Sequence, residues 1–249
     1  MSSQWDNFLC NLGEWHGTFA SLDSQQREYS CTSSILTLEQ GDERRLVRFG
    51  VQRWSDPTLQ GSATDRGEPL TALRQDYRSL GKQVVFFPCG TFSKGSMQLA
   101  PGTAFGAEFG FIDGDRRHRL VVLYDQAGCF DRSVLIREYR AGSVAVEQPP
   151  LEGTQLTGFW TGEEHTISAD WAEVSTAPVQ LSLDVCDLVG MRWLADGGGF
   201  RVPTQVSHRE AFEISAFWCP DPNRAQRLVR RYDSTGAWLS ASQALLTRS

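Results

Sequence analysis

The stretch 105–112 packs the most chemistry into the fewest residues. Side chains of an extended strand alternate between faces, so Phe105, Ala107, Phe109 and Phe111 share one face and Gly106, Glu108, Gly110 and Ile112 the other. If the Gly-Glu-Gly face turns into a barrel, the glycines leave room beside a carboxylate in apolar surroundings. Desolvation would then raise the pKa of Glu108 and make it an acid or a polar anchor. If the phenylalanine face turns inward, Glu108 is solvated and the glycines let the strand bend. Arg27, Arg48, Arg53, Arg137 and Arg140 lie on or beside other predicted strands, and one inward guanidinium suits a carboxylate or propionate. Along 46–53 the alternation sets Leu46, Arg48, Gly50 and Gln52 against Val47, Phe49, Val51 and Arg53. Trp54 and Phe87 add aromatic surface for a flat ligand. The candidate ligand-binding set is therefore Glu108, Arg48, Arg137, Trp54 and Phe87.

Other chemistries find less support. His16, His118, His165 and His208 show no H-x-x-x-H or related spacing, so zinc is not expected. His208 beside Glu210 is the best acid–base pair that adjacency offers. Cys10, Cys31, Cys89, Cys129, Cys186 and Cys219 contain no C-x-x-C pair, which points to isolated thiols without a metal or redox motif. Nucleophile elbow, phosphate-binding loop and dinucleotide fingerprint are all missing. No cofactor is implied. Trp15, Trp54, Trp160, Trp171, Trp193, Trp218 and Trp238 fall in or near predicted strands, where large rings either fill a core or line an aromatic wall.

The elements that must hold these residues read as strands. Apolar residues recur with period two in short runs broken by Gly, Asp, Asn or Pro. The pattern predicts strands over 15–21, 34–39, 45–53, 83–88, 96–99, 105–112, 119–125 and 134–140. Later strands are predicted over 160–168, 179–185, 191–194, 200–203, 210–218, 227–233 and 238–246. One helical signal opens the chain, with Trp5, Phe8, Leu9 and Leu12 at i, i+3, i+4 and i+7.

The chain also echoes itself. Gly13-Glu14-Trp15-His16-Gly17 returns as Gly158-Phe159-Trp160-Thr161-Gly162, and the run from Arg119 to Gly128 is matched at Arg, Leu, Val, Tyr, Asp and Gly by the run from Arg227 to Gly236. Both echoes fall in the same order, which predicts two related β units. The first spans 1–140 and the second, shorter by about one hairpin, spans 154–249. A Gly- and Pro-containing linker at 141–153 joins them.

A G-x-W that begins the first strand after a short helix, followed by antiparallel strands with tight turns, resembles the lipocalin and wider calycin families. In such barrels the tryptophan closes one end beneath the cavity, with an arginine of the last strand over its ring. The resemblance implies Arg137 or Arg140 for that arginine in the first half; in the second half only Arg248 is available. The wording is more specific still in Phe8-Leu9, Leu12-Gly13-Glu14-Trp15-His16-Gly17, Ser33-Ser34-Ile35-Leu36-Thr37-Leu38, Phe105-Gly106-Ala107-Glu108-Phe109-Gly110 and Leu135-Ile136-Arg137-Glu138. Over most of residues 5–140 it resembles a cyanobacterial and plastid family of calycin-like proteins of unassigned function. The early tryptophan, a following arginine and the Ser-Ser-Ile strand are also distantly similar to the S-type phycobilin lyases, single barrels that hold a linear tetrapyrrole.

The expected fold is all-β: two tandem antiparallel calycin or lipocalin-like barrels with a short N-terminal helix, the second barrel smaller. Apolar residues make up 40% of the 249 and aromatics 11%, enough for a sizeable core. A net charge of −6 argues against a duplex-coating nucleic-acid binder. The basic runs at 116–119 and 230–231 are too short to change that. No signal peptide and no membrane span is expected, and the location expected is the cytoplasm. The expected partner is a hydrophobic or amphipathic small molecule (tetrapyrrole, carotenoid, terpenoid or lipid) held in the first barrel. The alternative is a metal-independent isomerase, cyclase or bilin-lyase-like enzyme using the same cavity.

Overall fold

The computed structural model describes residues 3–144, 146–170 and 174–249; Trp171 and Ala145 of the predicted linker lie outside them. A six-residue helix α1 (Gln4–Leu9) comes first, with Ser3 as N-cap in a capping box with Asp6. Nine strands then form one antiparallel sheet: β1 (Gly13–Asp23), β2 (Glu28–Gln40), β3 (Val47–Trp54), β4 (Thr71–Tyr77), β5 (Val84–Phe86), β6 (Phe92–Gly95), β7 (Phe105–Asp113), β8 (Arg116–Tyr124) and β9 (Phe130–Arg140). Their order is β4-β3-β2-β1-β9-β8-β7-β6-β5. The sheet curls into a half-barrel, open between β4 and β5. Seven strands follow: β10 (Gly158–Ser168), β11 (Ser175–Leu183), β12 (Arg192–Leu194), β13 (Gly198–Arg201), β14 (Phe212–Asp221), β15 (Arg224–Tyr232) and β16 (Trp238–Arg248). They form a smaller sheet in the order β11-β10-β16-β15-β14-β13-β12.

The parity of each strand decides which face it buries. Phe105, Ala107, Phe109 and Phe111 of β7, with Leu120 and Val122 of β8 and Leu135 of β9, leave the first half-barrel on its convex side. There they share one core with Ile214, Ala216 and Trp218 of β14, Leu228 and Tyr232 of β15, and Ala241 of β16. The two sheets are thus packed back to back, and their concave faces look away from each other. Inside the first half, Trp15, Leu36, Leu38, Val47, Phe86, Phe92 and Ile112 form a second core that Trp5 and Phe8 of α1 close from one end. The helical signal at the start of the sequence is therefore the plug of the concave side.

The two G-x-W-x-G segments take up the same geometry. Trp15 Nε1 donates to the Asn11 carbonyl and Trp160 Nε1 to the Leu156 carbonyl, each at 2.9 Å. Arg140 lies 4.4 Å above the Trp15 ring and Arg248 4.4 Å above the Trp160 ring, and each opposes its tryptophan in register. Each guanidinium also donates to a carbonyl just before the first glycine: Arg140 to Leu12 at 2.6 Å and Arg248 to Thr157 at 2.8 Å. That glycine has φ near +127° at Gly13 and +117° at Gly158, where a side chain is strained. The second glycine lets neighbouring strands approach: a Cβ on Gly17 would overlap the Arg137 carbonyl oxygen, and one on Gly162 that of Leu245. Arg140, rather than Arg137, is thus the arginine over the first tryptophan.

Candidate functional site: the concave cleft of the first half

Phe105 and its partners are drawn to the second sheet, so the other face of β7 turns into the concavity. Glu108 lines a cleft of about 340 Å³ there. Its walls are Phe8 from the helix, Leu36, Leu38 and Phe49 from β2 and β3, Tyr77 from β4, and Phe86 and Phe92 from β5 and β6. Gly110 makes space for Phe92, whose ring occupies the place a Cβ would take.

Glu108 is not a lone carboxylate in an apolar room. Arg119 donates to it at 2.9 Å, and the same guanidinium donates to both oxygens of Glu138 at 2.9 and 3.1 Å. Arg117 donates to Glu138 at 2.8 Å and lies 4.5 Å above the Trp15 ring. Two arginines and two carboxylates thus form one network across β7, β8 and β9. Burial opposes the charge on Glu138, but Arg117 and Arg119 outweigh it and hold the carboxyl at about 2. Burial likewise opposes the charge on Arg119, and Glu138 and Glu108 more than offset it, so its pKa is raised. Arg117 is only 3% exposed, and burial pushes its pKa down.

Three features leave positive charge to spare. Nη2 of Arg117, a residue that lines the cleft, has no hydrogen-bond partner among the described residues. Lys94 of β6 lines the cleft opposite Glu108 in register, yet makes no ion pair among the described residues. Higher on the same face, Arg53 lies 4.6 Å from the Phe19 ring and donates to Thr32 at 3.0 Å, with no carboxylate partner among the described residues. In and just above the cleft, Arg117, Arg119, Lys94 and Arg53 therefore stand beside Glu108 and Glu138, in a chain whose net charge is −6. A buried guanidinium N–H with no protein acceptor is costly and is satisfied by a water or an anion that reaches it.

Of the five residues in the candidate ligand-binding set, Glu108 alone lies in this cleft. Arg48 faces the convex side of β3, where it is half exposed and 3.6 Å from Asp42. Arg137 leaves β9 on the convex side and pairs with Glu147 at 2.7 Å. Trp54 also points outward; its Nε1 donates to the Gly67 carbonyl at 3.0 Å beneath Arg66, and the β3–β4 loop covers it. Phe87 is fully buried in the core between the sheets. The residues that sequence reasoning passed over are Arg117, Arg119 and Glu138. For the two arginines a signal was available: in β8 the alternation sets Arg117 and Arg119 on the face of Val121 and Leu123, opposite His118, Leu120 and Val122.

Other clefts lie along the seam between the halves, about 440 Å³, and at the closed end of the second half, about 370 Å³. Neither combines an aromatic wall with buried ionised groups. No group of three or more His, Cys, Asp or Glu is arranged to hold a metal among the described residues. No helix among them is long and apolar enough to cross a membrane.

The family model for the N-terminal DUF3598 domain, a domain of unknown function, matches residues 1–143. The chain belongs to the DUF3598 family. Residues 187–248 also match the C-terminal domain of a biogenesis factor required for ATP synthase. A DUF3598 protein of unknown function from Nostoc punctiforme has a crystal structure 28% identical to this chain. The match covers 100% of both chains with a TM-score of 0.85. The S-type phycobiliprotein lyase CPES from Guillardia theta is 15% identical over 55% of this chain and 91% of its own, with a TM-score of 0.35. Rv2717c from M. tuberculosis is 11% identical over 100% of this DUF3598 chain and 99% of its own, with a TM-score of 0.26. The last two likenesses are too low to carry an argument. No curated protein matches the chain.

Proposed function

We propose that the first half binds an amphipathic small molecule with one acidic group. Its apolar body lies against Phe8, Phe49, Phe86 and Phe92, and its acid accepts hydrogen bonds from Arg117 and Lys94. The observation that carries this reading is the unpartnered Nη2 of Arg117 at the wall of an aromatic cleft. Apolar burial supplies affinity without direction, and the guanidinium supplies orientation. Glu108 serves here as a clamp on Arg119 rather than as a proton donor, because Arg119 already occupies it at 2.9 Å. The ligand class covers lipids, terpenoid acids and tetrapyrroles alike, since all combine an apolar body with a carboxylate.

Retinoic acid and retinol differ in the acid alone and so test the reading. The wild type binds retinoic acid more tightly by about tenfold or more, the scale of a charge-assisted hydrogen bond worth about 1.5 kcal/mol. Arg117→Gln and, separately, Lys94→Gln at the exposed mouth reduce that preference and leave retinol affinity nearly unchanged. Saturable binding of neither compound, nor of palmitate or biliverdin, removes the reading.

The match of residues 187–248 favours a second reading, in which the second half docks on ATP synthase during assembly. Co-migration of the purified protein with the catalytic head of the synthase tests it, and independent migration rejects it.

A further inference from the structure

The edges of the two sheets are not alike. An exposed strand edge offers unpaired N–H and C=O groups to any other strand, and proteins blunt such edges with short strands, proline or charge. Three of the four edges are blunted. β5 and β12 are three residues long, and β11 carries Pro178 in its middle. The fourth edge, β4, runs for seven residues, Thr-Ala-Leu-Arg-Gln-Asp-Tyr, without proline or glycine. Among the described residues it is bonded to β3 alone. Leu73 on its concave face is 54% exposed, and Leu70 just before it is 65% exposed.

We propose that β4 pairs antiparallel with β4 of a second copy of this chain, about a two-fold axis at Gln75. The choice of partner follows from the order of charges. Pairing centred on Gln75 sets Arg74 against Asp76 of the second copy, and symmetry makes that pair twice. Arg74 and Asp76 are exposed and form no salt bridge among the described residues. On the concave face the same register sets Leu73 against Tyr77 of the second copy, also twice, covering an apolar side chain otherwise left in water. The strand is thus complementary to itself in charge and in apolar surface, which an isologous interface requires. The two-fold axis of an antiparallel pair stands perpendicular to the sheet, so both concave faces open to the same side. Gln75 and Tyr77 line the cleft. The dimer therefore joins two ligand clefts along one wall.

Charge reversal tests the pairing in the full-length protein. Sedimentation velocity from low micromolar to submillimolar concentration shows a reversible dimer for the wild type. Arg74→Asp and Asp76→Arg each oppose like charges at two places and raise the dissociation constant by about tenfold or more. The double variant Arg74→Asp/Asp76→Arg restores opposite charges and returns the constant to within about threefold of wild type. Both positions are exposed, so the three variants retain the wild-type near-ultraviolet spectrum; Arg74 faces Gly50 on β3, whereas Asp76 faces Arg48, so the variants that carry Asp76→Arg melt slightly lower. A wild type that stays monomeric throughout overturns the proposal. So does a dimer that survives either single reversal, or a double variant that stays dissociated.

Discussion

Replacing Glu138 with glutamine probes the charge network most sharply. The substitution keeps volume and hydrogen-bonding capacity but removes the one carboxylate that both Arg117 and Arg119 contact. The carboxyl is held at about 2 against an ordinary value of 4.5, and its residue is 1% exposed, so solvent screening is slight. At 1.36 kcal/mol per pH unit, the shift corresponds to about 3 kcal/mol of stability at neutral pH. That agrees with the roughly 3–5 kcal/mol lost when one partner of a buried pair is removed. At about 2–4 °C per kcal/mol for a chain of this size, Glu138→Gln melts roughly 6–12 °C below wild type at pH 7. The sign of the pH dependence follows from the direction of the shift. A carboxyl with a depressed folded pKa stabilises above its unfolded pKa, and that stability is lost as pH falls from about 4.5 through about 2. Denaturant titration followed by tryptophan fluorescence should give the full difference between wild type and variant at pH 7 and pH 5.5, and about half of it near pH 3. A difference below about 1 kcal/mol at pH 7, or one that grows on acidification, refutes the network as described.

Three further outcomes follow from the geometry. Burial holds the pKa of His118, stacked on Trp218 and 3.4 Å from Asp196 between the sheets, below its usual 6.5. Its contribution is complete above pH 6.5 and is lost as pH falls, so His118→Phe flattens the loss of melting temperature between pH 6.5 and 5. Gly110→Ala drives the Phe92 ring into the cleft and weakens retinoic acid binding about tenfold in a fluorescence titration, with a small change in stability. Gly17→Ala and Gly162→Ala each force neighbouring strands apart and cost about 2 kcal/mol or more in denaturant unfolding, whereas alanine at exposed Gly190 (φ +80°) costs only its backbone strain of about 1 kcal/mol.

Much of this architecture was legible in the residues. Period-two patterning located most of the strands, and the spacing of Trp5, Phe8, Leu9 and Leu12 located the helix. Two strands escaped for physical reasons. β4 is exposed along nearly its whole length, so Thr-Ala-Leu-Arg-Gln-Asp-Tyr shows no buried apolar alternation. β6 spans only four residues, and the strand expected over 96–99 reduces to an isolated bridge between Gln98 and Ala237. The site was less legible. Glu108 could be placed on a face by parity, but which face was inward depended on the second sheet, which takes the phenylalanines. Arg48, Arg137 and Trp54 have the parity that points outward, and a register one residue away would have reversed each of them. Arg117 and Arg119 sat in a basic run that reads as surface. Glu138 becomes their partner only through the β8–β9 register, which no local pattern encodes.

The central claim is that the first concave face receives an acid with an apolar tail. A crystal of the protein soaked with a terminally brominated fatty acid tests it directly. The account predicts one anomalous bromine peak in the first half against the rings of Phe49, Phe86 and Phe92, with the carboxylate within hydrogen-bond distance of Arg117 Nη2. A cleft that stays free of the lipid while bromine is found elsewhere or nowhere, or a carboxylate turned away from Arg117 into solvent, would contradict it.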